Sequence, residues 1–460
     1  MSAAWTLAWT PPPVGGVSET IAKTLAEWGI DACTLTRRSQ ASDTLDFSIP
    51  MTSSELDLDD LFTHQSTVEL YNPAGVRWFV GRMLDPQPEE EGASAHKSFT
   101  AAGPYYWAEN LPATQLWVEA GKEGGKEFGR CLLFSVWGAD AKISQRSTSD
   151  EIELFTDKLI AAGAPWRRGT IDGGVVVPSE KVESLTFGAV FTRILRYTPD
   201  AVTWFDYSTG APLAPLFHCR RQPDLEAVTL DVSDGTRVQQ WTAAKNLEGR
   251  PPRVVVTMKR QTDPGGGTVL KTDFVSATWP VGAAGPQLGE LHVSMDYTED
   301  YKESPALTLA EALYAQGQNL GWHGDIELLE DDCTGVLRPG HRLNLSGTRM
   351  ATADMGAIVQ ETQEDIFSGT THATFGPPGQ IGPEDLLQLL LPHRIRTRVA
   401  PQEVQERDTG ESPSNSKNYG MGEKEDETRA TGIKVRMFVE DGVGGVAVRT
   451  VQLPKGAKLV

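Results

Sequence analysis

The sequence lacks the short motifs that mark the common enzyme classes. It contains no G-x-S-x-G nucleophile turn, no P-loop and no H-E-x-x-H zinc motif. The glycine run Gly265-Gly266-Gly267 follows Asp263-Pro264 and precedes no Lys-Ser/Thr pair, so it is typical of a hairpin loop and not of a phosphate-binding loop. We therefore predict that the chain is not an enzyme and has no catalytic and no cofactor-binding residues.

Long apolar runs are missing as well. No stretch reaches the roughly 20 apolar residues that a membrane-spanning helix needs. The first residues, Met1-Ser2-Ala3-Ala4-Trp5, contain no basic region followed by an apolar stretch, so we expect no signal peptide. These two absences predict a protein that is synthesised and folded in a cytoplasm and has no membrane span.

Cysteine is scarce, and the four residues are far apart: Cys33, Cys131, Cys219 and Cys333. No two of them form a C-x-x-C pair, and in a reducing compartment they are expected to be ordinary buried thiols. His218 lies next to Cys219, but one His and one Cys need two more ligands to hold a metal ion. We therefore predict no metal-binding residues.

Basic residues are outnumbered by acidic ones. The 460 residues include 42 Lys and Arg against 62 Asp and Glu, which gives a net charge of -20. This balance argues against a dedicated nucleic-acid binder, because such a protein needs clustered Lys and Arg to hold phosphates. It suits a negatively charged wall past which nucleic acid slides without sticking, although solubility alone is the simpler explanation.

Neighbouring carboxylates are numerous, for example Asp57 with Asp59 and Asp331 with Asp332. A glycosidase needs two carboxylates at a set separation across a cleft, and a sequence does not show that separation. We expect such pairs to be solvated loop residues. Asp206 differs because aromatic residues flank it in a predicted strand, and we expect it to be a structural hydrogen-bonding group.

Aromatic residues cluster at Tyr105-Tyr106-Trp107 and at Trp204-Phe205. Sugar-binding modules expose aromatic platforms of this kind, whereas β proteins fill their cores with large aromatic side chains. Packing in a core or an interface is the favoured interpretation, and carbohydrate binding stays open as the alternative.

A pattern of three strands is present twice. The first copy comprises Val68–Arg82 and Lys97–Pro104, and the second comprises Leu337–Leu345, Gly356–Glu361 and Thr371–Pro378. Apolar and polar residues alternate in both copies, which indicates half-buried strands. Each copy stops at Gly-Pro, because proline cannot donate a ladder hydrogen bond. The pattern predicts either a duplicated β unit or two unrelated β-meanders.

Hydrophobic periodicity places the other elements. Helices are predicted at Ser18–Trp28, Asp150–Ala162, Ser184–Tyr197, Leu307–Asn319 and Pro383–Leu391. Strands are predicted at Cys33–Arg37, Leu45–Ile49, Trp204–Tyr207, Val228–Val232, Val254–Met258 and Phe274–Thr278. Thr148 or Ser149 is expected to cap the second helix, and Gly163 to end it. Asp85–Gly92 is interpreted as an exposed acidic turn.

The last part of the chain has a different composition. Pro401–Arg429 is polar and almost free of apolar side chains, which is typical of an extended or disordered linker. Ile433–Val439 and Val446–Val451 then predict a hairpin. A lone hairpin is marginally stable in water, so we expect it to pack on a partner, a second copy or the body of its own chain.

Three stretches together resemble the tail hub, or baseplate hub, proteins of tailed bacteriophages. They are Thr67–Arg82, Leu195–Thr209 and Leu337–Pro378, in this order, and together they span most of residues 30–380. The resemblance implies two tail-tube-like β-barrel domains at 1–125 and 226–395, and a small α+β middle domain at 126–225. An extended linker with a hairpin, which has no counterpart in a hub core, is expected at 396–460.

The resemblance also implies a function. Three copies are expected to form a ring with pseudo-sixfold symmetry that joins the tail tube to the tail tip and conducts DNA. The implied partners are the other copies of the chain, the tail tube, the distal tail protein and tail-tip or spike proteins, with phage DNA in transit. The implied location is the tail tip or baseplate of a virion, after synthesis in the host cytoplasm. A receptor- or carbohydrate-binding tail protein and a tail-associated cell-wall hydrolase are the alternatives.

Overall fold

The computed structural model describes residues 4–12, 19–50, 61–84, 87–91, 94–118, 125–137, 143–177, 180–210, 213–233, 235, 237–245, 250–262, 271–282, 290–297, 304–330, 335–377, 432–441 and 445–454. The chain divides into two compact units. The first comprises Met1–Leu116 with Glu127–Val399, and the second comprises Trp117–Lys126 with Ala400–Val460.

Strands dominate the described residues, which confirms the predicted mainly β fold. The strands are β1 (Thr6–Thr10), β2 (Ile21–Thr24), β3 (Ala32–Arg38), β4 (Thr44–Pro50), β5 (Thr67–Tyr71), β6 (Arg77–Met83), β7 (Gln87–Glu91), β8 (Ser94–Ala102), β9 (Gln115–Val118), β10 (Gly125–Phe128), β11 (Arg130–Leu133), β12 (Ser135–Trp137), β13 (Ile143–Gln145), β14 (Arg167–Ile171), β15 (Glu180–Glu183), β16 (Ala201–Asp206), β17 (Leu216–Arg221), β18 (Glu226–Asp231), β19 (Val238–Lys245), β20 (Val254–Thr262), β21 (Lys271–Trp279), β22 (Leu291–Tyr297), β23 (Trp322–Leu329), β24 (His341–Ser346), β25 (Ala357–Asp365), β26 (Thr370–Phe375), β27 (Gly432–Asp441) and β28 (Gly445–Pro454). The helices are α1 (Tyr106–Asn110), α2 (Thr148–Ala161), α3 (Phe187–Leu195) and α4 (Ser304–Asn319), with a short 3-10 helix at Gln222–Asp224.

One sheet of fourteen strands organises the first unit. Its main path is β19-β23-β26-β25-β3-β4-β8-β6-β5-β1-β2, with β24 also paired to β25, β18 to β24, and β7 to β8. The path has two ends, so among the described strands neither half closes into a complete hydrogen-bonded barrel. In the first half, the outer edge of β3 at the centre of the path pairs with β25 instead of with a strand of its own half.

The two halves of this sheet share one strand order. The first module, β1 to β8, contains the path β3-β4-β8-β6-β5-β1, and the second module, β18, β19 and β23 to β26, contains the path β19-β23-β26-β25-β24-β18. Corresponding strands also follow one another in the same chain order. Corresponding pairs have the same polarity, except that β1–β5 is antiparallel and β18–β24 is parallel. Both copies of the predicted three-strand pattern are confirmed as antiparallel meanders.

Side-chain alternation explains why these segments are strands. In β6 the residues alternate between buried and half-buried from Arg77 to Met83, and in β24 they alternate from His341 to Ser346. The buried positions supply separate cores. The first module buries Leu35, Leu45, Phe79 and Phe99, whereas the second buries Ile326, Leu343, Val359 and Ala373. A pleated strand places alternate residues on one face, so each module covers its core with a single face.

The chain between the two modules is the predicted α+β region. Helices α2 and α3 accompany the sheet β14-β17-β16, and Trp166 lies among the rings of Tyr105, Phe191, Phe205 and Phe217. The N-cap of α2 is Ser147, one residue before the predicted cap, because its hydroxyl accepts from Asp150 N–H while the Asp150 carboxylate accepts from Ser147 N–H. The helix ends at Ala161, and Gly163 follows its C-cap with φ of 95°, in the terminating position predicted for it.

The second module carries an insertion that the first lacks. Strands β20, β21 and β22 form a three-stranded sheet between β19 and β23 in the chain, and α4 packs on it through Val254, Val256 and Leu309. The strands predicted at Val254–Met258 and Phe274–Thr278 belong to this sheet and extend further than predicted. The helix predicted at Leu307–Asn319 is confirmed and begins at Ser304.

The helix predicted at Ser18–Trp28 is wrong. Ile21–Thr24 is strand β2, which pairs antiparallel with β1, and the chain then turns at Gly29 with φ of 72°. Leu25 and Trp28, two of the apolar residues that gave the helical pattern, reach the core from this turn, whereas Ile21 is exposed on β2. Trp28 is buried there and its indole N–H donates to the Leu7 carbonyl at 2.8 Å. Pairing with the edge of β1 therefore decided the conformation of this segment, and the local helical periodicity did not.

The acidic turn predicted at Asp85–Gly92 is also wrong where the structure describes it. Gln87–Glu91 is strand β7, paired antiparallel with β8 from Gln87 opposite Ser98 to Glu91 opposite Ser94. The sequence did not predict this strand, because its proline and glutamates are typical of a turn and it has no alternation of apolar residues. Both features are tolerated in a strand at the edge of a sheet. The loop at 263–267, the helix at Pro383–Leu391 and the linker at Pro401–Arg429 lie outside the described residues.

The hairpin of the second unit is confirmed, with β27 and β28 paired from Gly432 opposite Pro454 to Asp441 opposite Gly445. Three of the four cysteines are free and buried, as predicted, whereas Cys333 is not described. In the described residues, no helix has both the length and the apolarity needed to span a bilayer. The domain boundaries remain a prediction.

Candidate functional site

The candidate site is the joint between the two modules. Strand β25 pairs antiparallel with β3 over five residues, from Glu361 opposite Arg38 to Asp365 opposite Thr34. The same strand pairs on its other side with β26, so the joint is part of a continuous sheet and not a side-chain contact between separate bodies. Backbone hydrogen bonds across the joint fix the register of one module against the other.

A buried ionic group reinforces this joint. The Arg37 guanidinium donates to one carboxylate oxygen of Glu364, and the Trp78 indole N–H donates to the other at 2.6 Å. Arg37 also donates to the Trp78 carbonyl at 3.0 Å and lies 4.7 Å from the centre of its ring. Because Arg37 and Glu364 are both buried, removing either leaves an uncompensated charge in the sheet. The contacts therefore favour one geometry of the joint.

The loop before β24 connects the second module to the middle region. Gly340 has φ of 100°, and a Cβ there would lie 2.7 Å from the Trp204 ring. Trp204 stacks on His218 with ring centres 5.0 Å apart and planes within 12°. Only glycine satisfies both the backbone angle and the close approach to the indole. Burial, followed by the positive charge of Arg37, lowers the pKa of Arg338 in this loop.

The first module contacts the middle region through a buried carboxylate. Asp43 accepts from the Tyr207 hydroxyl at 2.5 Å and from Arg38 N–H at 2.9 Å. Burial raises the pKa of Asp43 to about 6, against the lowering effect of these hydrogen bonds and of nearby arginine. Arg77, which is also buried, donates to the carbonyls of Tyr207 and Leu213 at 3.1 and 2.6 Å.

A second carboxylate connects the middle region to the insertion. Asp200 is fully buried and accepts two hydrogen bonds of 2.9 Å from Arg221 and one of 2.7 Å from the Asn319 amide. The neighbouring Gln222 donates to the Gly356 carbonyl at 2.7 Å, just before β25. The middle region thus contacts both modules through polar groups that are paired and buried, which favours a fixed arrangement.

The sequence predicted no catalytic, cofactor or metal residues. Asp206, which it singled out among the acidic residues, lies in a hydrogen-bonded turn. Asp206 accepts from the N–H and hydroxyl of Ser208 at 2.9 and 2.7 Å, the role expected of it. Burial opposes its ionisation, but these hydrogen bonds and the charge of Arg338 leave the pKa of Asp206 below its usual value. An acid held in its charged form by local donors is suited to positioning a turn.

The adjacent His218 and Cys219 face different surroundings. His218 accepts from Thr170 N–H through Nδ1 at 3.0 Å, and burial lowers the pKa of its imidazole. Cys219 is buried on the other face of β17, and burial raises the pKa of its thiol to about 12. Within the part of the chain that the structure describes, no three His, Cys, Asp or Glu side chains are grouped to hold a metal ion.

The aromatic clusters lie in packed regions. Tyr105 and Phe205 are buried around Trp166, whereas Tyr106 and Trp107 are half-buried with ring centres 6.0 Å apart. This agrees with the favoured interpretation of core packing. Asp57, Asp59, Asp331 and Asp332 lie outside the described residues.

Sequence reasoning missed the residues that build the joint. Arg37, Trp78 and Glu364 belong to three different strands, and nothing in the sequence indicates that β3 and β25 are neighbours. One signal was available. Arg37 alternates with the apolar residues Cys33 and Leu35 in the predicted strand, and a charged residue on that face is rarely buried unless it is paired. Glu364 carried no such signal, because it is out of phase with Ala357 and Val359 and reaches the buried face only through the β-bulge between Val359 and Glu361.

Comparisons with known proteins give matches in structure only. No protein-family model matches the sequence, and no curated protein matches it. The 43 kDa tail protein of prophage MuSo2 from Shewanella oneidensis has a TM-score of 0.48 at 10% identity, over 83% of this chain and 99% of that one. A tail protein from Neisseria meningitidis MC58 gives 0.43 at 11% identity, over 83% and 99%. A prophage tail protein from Listeria monocytogenes EGD-e gives 0.43 at 9% identity, over 84% and 99%.

Proposed function

We propose that this protein is a structural tail hub of a phage virion, in which three copies form a ring that joins the tail tube to the tail tip and conducts DNA. The observation that carries the proposal is the repeated module. One chain contains the strand order β3-β4-β8-β6-β5-β1 and again β19-β23-β26-β25-β24-β18, and joins the two copies edge to edge through β3 and β25.

Repetition inside a chain changes the symmetry of a ring. Each chain that carries two equivalent modules contributes two positions to a ring, so a threefold ring of chains presents six modules to its neighbours. A tube with sixfold symmetry can then stack on one face, while differences between the modules leave a threefold face for the tip. The insertion of β20 to β22 and α4 occurs in the second module only, which supplies such a difference among the described strands.

The charge of the chain suits conduction. With a net charge of -20, an acidic wall repels the phosphates of DNA and does not retain them during passage. The buried ion pairs at Arg37–Glu364 and Arg221–Asp200 support a scaffold role, because they hold modules in one geometry. Among the described residues, the aromatic candidates pack against other rings and the core, so they do not favour the carbohydrate-binding alternative.

The proposed partners follow from this role. They are two further copies of the chain, the tail tube, the distal tail protein and tail-tip or spike proteins, with DNA in transit. The proposed location is the tail tip or baseplate of the virion, after synthesis in the host cytoplasm, and we propose no enzymatic activity.

The test is the mass of the purified full chain by multi-angle light scattering, with negative-stain images of the same sample. The proposal expects a particle of three times the 50.0 kDa chain mass and a ring with a central hole. A monomer at every concentration up to the solubility limit contradicts the proposal. Incubation of the same sample with peptidoglycan and with host polysaccharide is expected to release no products, whereas release would favour the hydrolase.

A further inference from the structure

Five strands of each module correspond residue by residue when their core-facing positions are aligned: β3, β4, β5, β6 and β8 in the first module, and β19, β23, β24, β25 and β26 in the second. The pair Val359 and Phe375 of the second module takes the place of Met83 and Ala101 of the first, and all four side chains are buried. The alignment carries across neighbouring strands, where it places the following further equivalences: Ile326 with Phe47, Ala373 with Phe99, and Leu343 with Val68. Strand β25 thereby corresponds to β6 continued by β7, and β19 corresponds to β3.

The equivalent strands β3 and β19 differ in the pairing of their second edge. Strand β3 pairs with β4 on one edge and with β25 on the other. Its equivalent β19 pairs with β23 on one edge, and no other strand of the described part of the chain pairs with it. Thr242 and Ala244 of β19 are exposed, as expected at the edge of a sheet. An unpaired strand edge presents a row of backbone donors and acceptors that can receive another strand.

The receiving side shows the same difference. The segment Glu361–Asp365 of β25 accepts β3 along its outer edge. Its equivalent in the first module is β7, since Gln363 lies opposite His372 as Gln87 lies opposite Ser98. Among the described strands, β7 pairs with β8 alone. Among the described strands, the chain therefore has an unpaired edge at β19 and another at β7. The corresponding edges of β3 and β25 pair with each other.

We propose that β19 of one copy pairs antiparallel with β7 of a second copy, and so repeats between chains the joint that β3 and β25 form within a chain. This inference rests on the ring proposed above and names its interface. The partner is a second copy because the sequence already contains the matching edge. A head-to-tail contact of this kind uses two different surfaces. It closes into a ring when the rotation that relates one chain to the next is a whole-number fraction of 360°.

The internal joint also gives the register. Gln363 lies opposite Thr36 and Asp365 lies opposite Thr34. By the same alignment, Ala244 of one copy lies opposite Gln87 of the next. Likewise Thr242 lies opposite Glu89. Charge does not oppose this pairing, since β7 carries three glutamates, whereas β19 carries one lysine and no acidic residue.

The experiment is disulfide cross-linking of the full-length protein. Residues directly opposite in antiparallel strands are close enough for a disulfide, whereas residues on unrelated edges are not. The variants Ala244→Cys and Gln87→Cys are purified separately, mixed, oxidised and run on a non-reducing gel. We expect a covalent dimer in the mixture, and a closed oligomer with the mass of the ring when both substitutions are in one chain. The pair Thr242→Cys and Glu89→Cys repeats the test at a second position.

The control is Ala22→Cys mixed with Gln87→Cys, because Ala22 is exposed on β2, an edge that the alignment does not assign to the interface. Cross-linking of the control as strong as that of the test pairs contradicts the proposed register. A ring by light scattering with no cross-link in either test pair overturns the β19–β7 interface and leaves the hub function standing. A monomer by light scattering with no cross-link refutes both.

Discussion

The buried carboxylate of Asp43 makes a sharp prediction about stability and pH. Asp43 is buried between the first module and the middle region, and burial raises its pKa from 3.8 to about 6. The folded state therefore holds the proton more tightly than the unfolded state does. Between about pH 4 and pH 6 the folded protein binds more protons, so its stability falls as pH rises through this window.

The size of the effect follows from the shift. A change of about two pKa units corresponds to about 3 kcal/mol in total, of which about 2 kcal/mol falls between pH 4 and pH 7. The substitution Asp43→Asn removes the titration while keeping the shape of the side chain. Its amide oxygen can accept from Arg38 N–H, and its amide N–H can donate to the Tyr207 oxygen. We expect Asp43→Asn to gain about 2 kcal/mol relative to the natural protein as pH rises from 4 to 7.

The assay is urea unfolding of both proteins at pH 4, 5, 6 and 7, followed by tryptophan fluorescence. Tyr207→Phe is the matched variant, because it removes the hydroxyl that donates to the Asp43 carboxylate at 2.5 Å and favours its charged form. Its cost should be larger at pH 7 than at pH 4, opposite in trend to Asp43→Asn. A free-energy difference between Asp43→Asn and the natural protein that is the same at pH 4 and pH 7 would refute the reasoning.

Two further predictions concern stability at neutral pH. Gly340→Ala should lower the melting temperature more than Gly163→Ala. Both glycines have positive φ, but only at Gly340 does the new methyl group meet an indole ring at 2.7 Å. The control Gly163→Ala should cost about 1–2 kcal/mol of stability, and an equal loss of melting temperature in both variants contradicts the close packing at Gly340. Arg221→Ala should cost about 3–5 kcal/mol because it leaves the buried Asp200 carboxylate short of its main partner. Arg168→Ala, which breaks an exposed ion pair, should cost at most about 1 kcal/mol in the same thermal unfolding experiment, and equal costs would contradict the burial argument.

Local sequence patterns predicted elements well where burial alternates. The strands at Cys33–Arg37 and Leu45–Ile49 and the helix at Asp150–Ala162 were correct to within a few residues, because one face of each packs on a core. The two predictions that were wrong fall on the edge strands β2 and β7, and strands such as β14, β17, β19 and β23 were not predicted. An edge strand is defined by its neighbour, and neither its apolar spacing nor its composition has to show the period of two.

The sequence by itself determined the mainly β class, the two meanders that end at Gly-Pro and the terminal hairpin, because these depend on the alternation of neighbouring residues. Tertiary structure alone decided that β3 pairs with β25, that Arg37 meets Glu364 across 327 positions of sequence, and that Asp43 is desolvated. Strand pairing and burial depend on contacts between residues far apart in the chain. A local period reports which face of a strand is apolar, but it does not report which strand lies beside it.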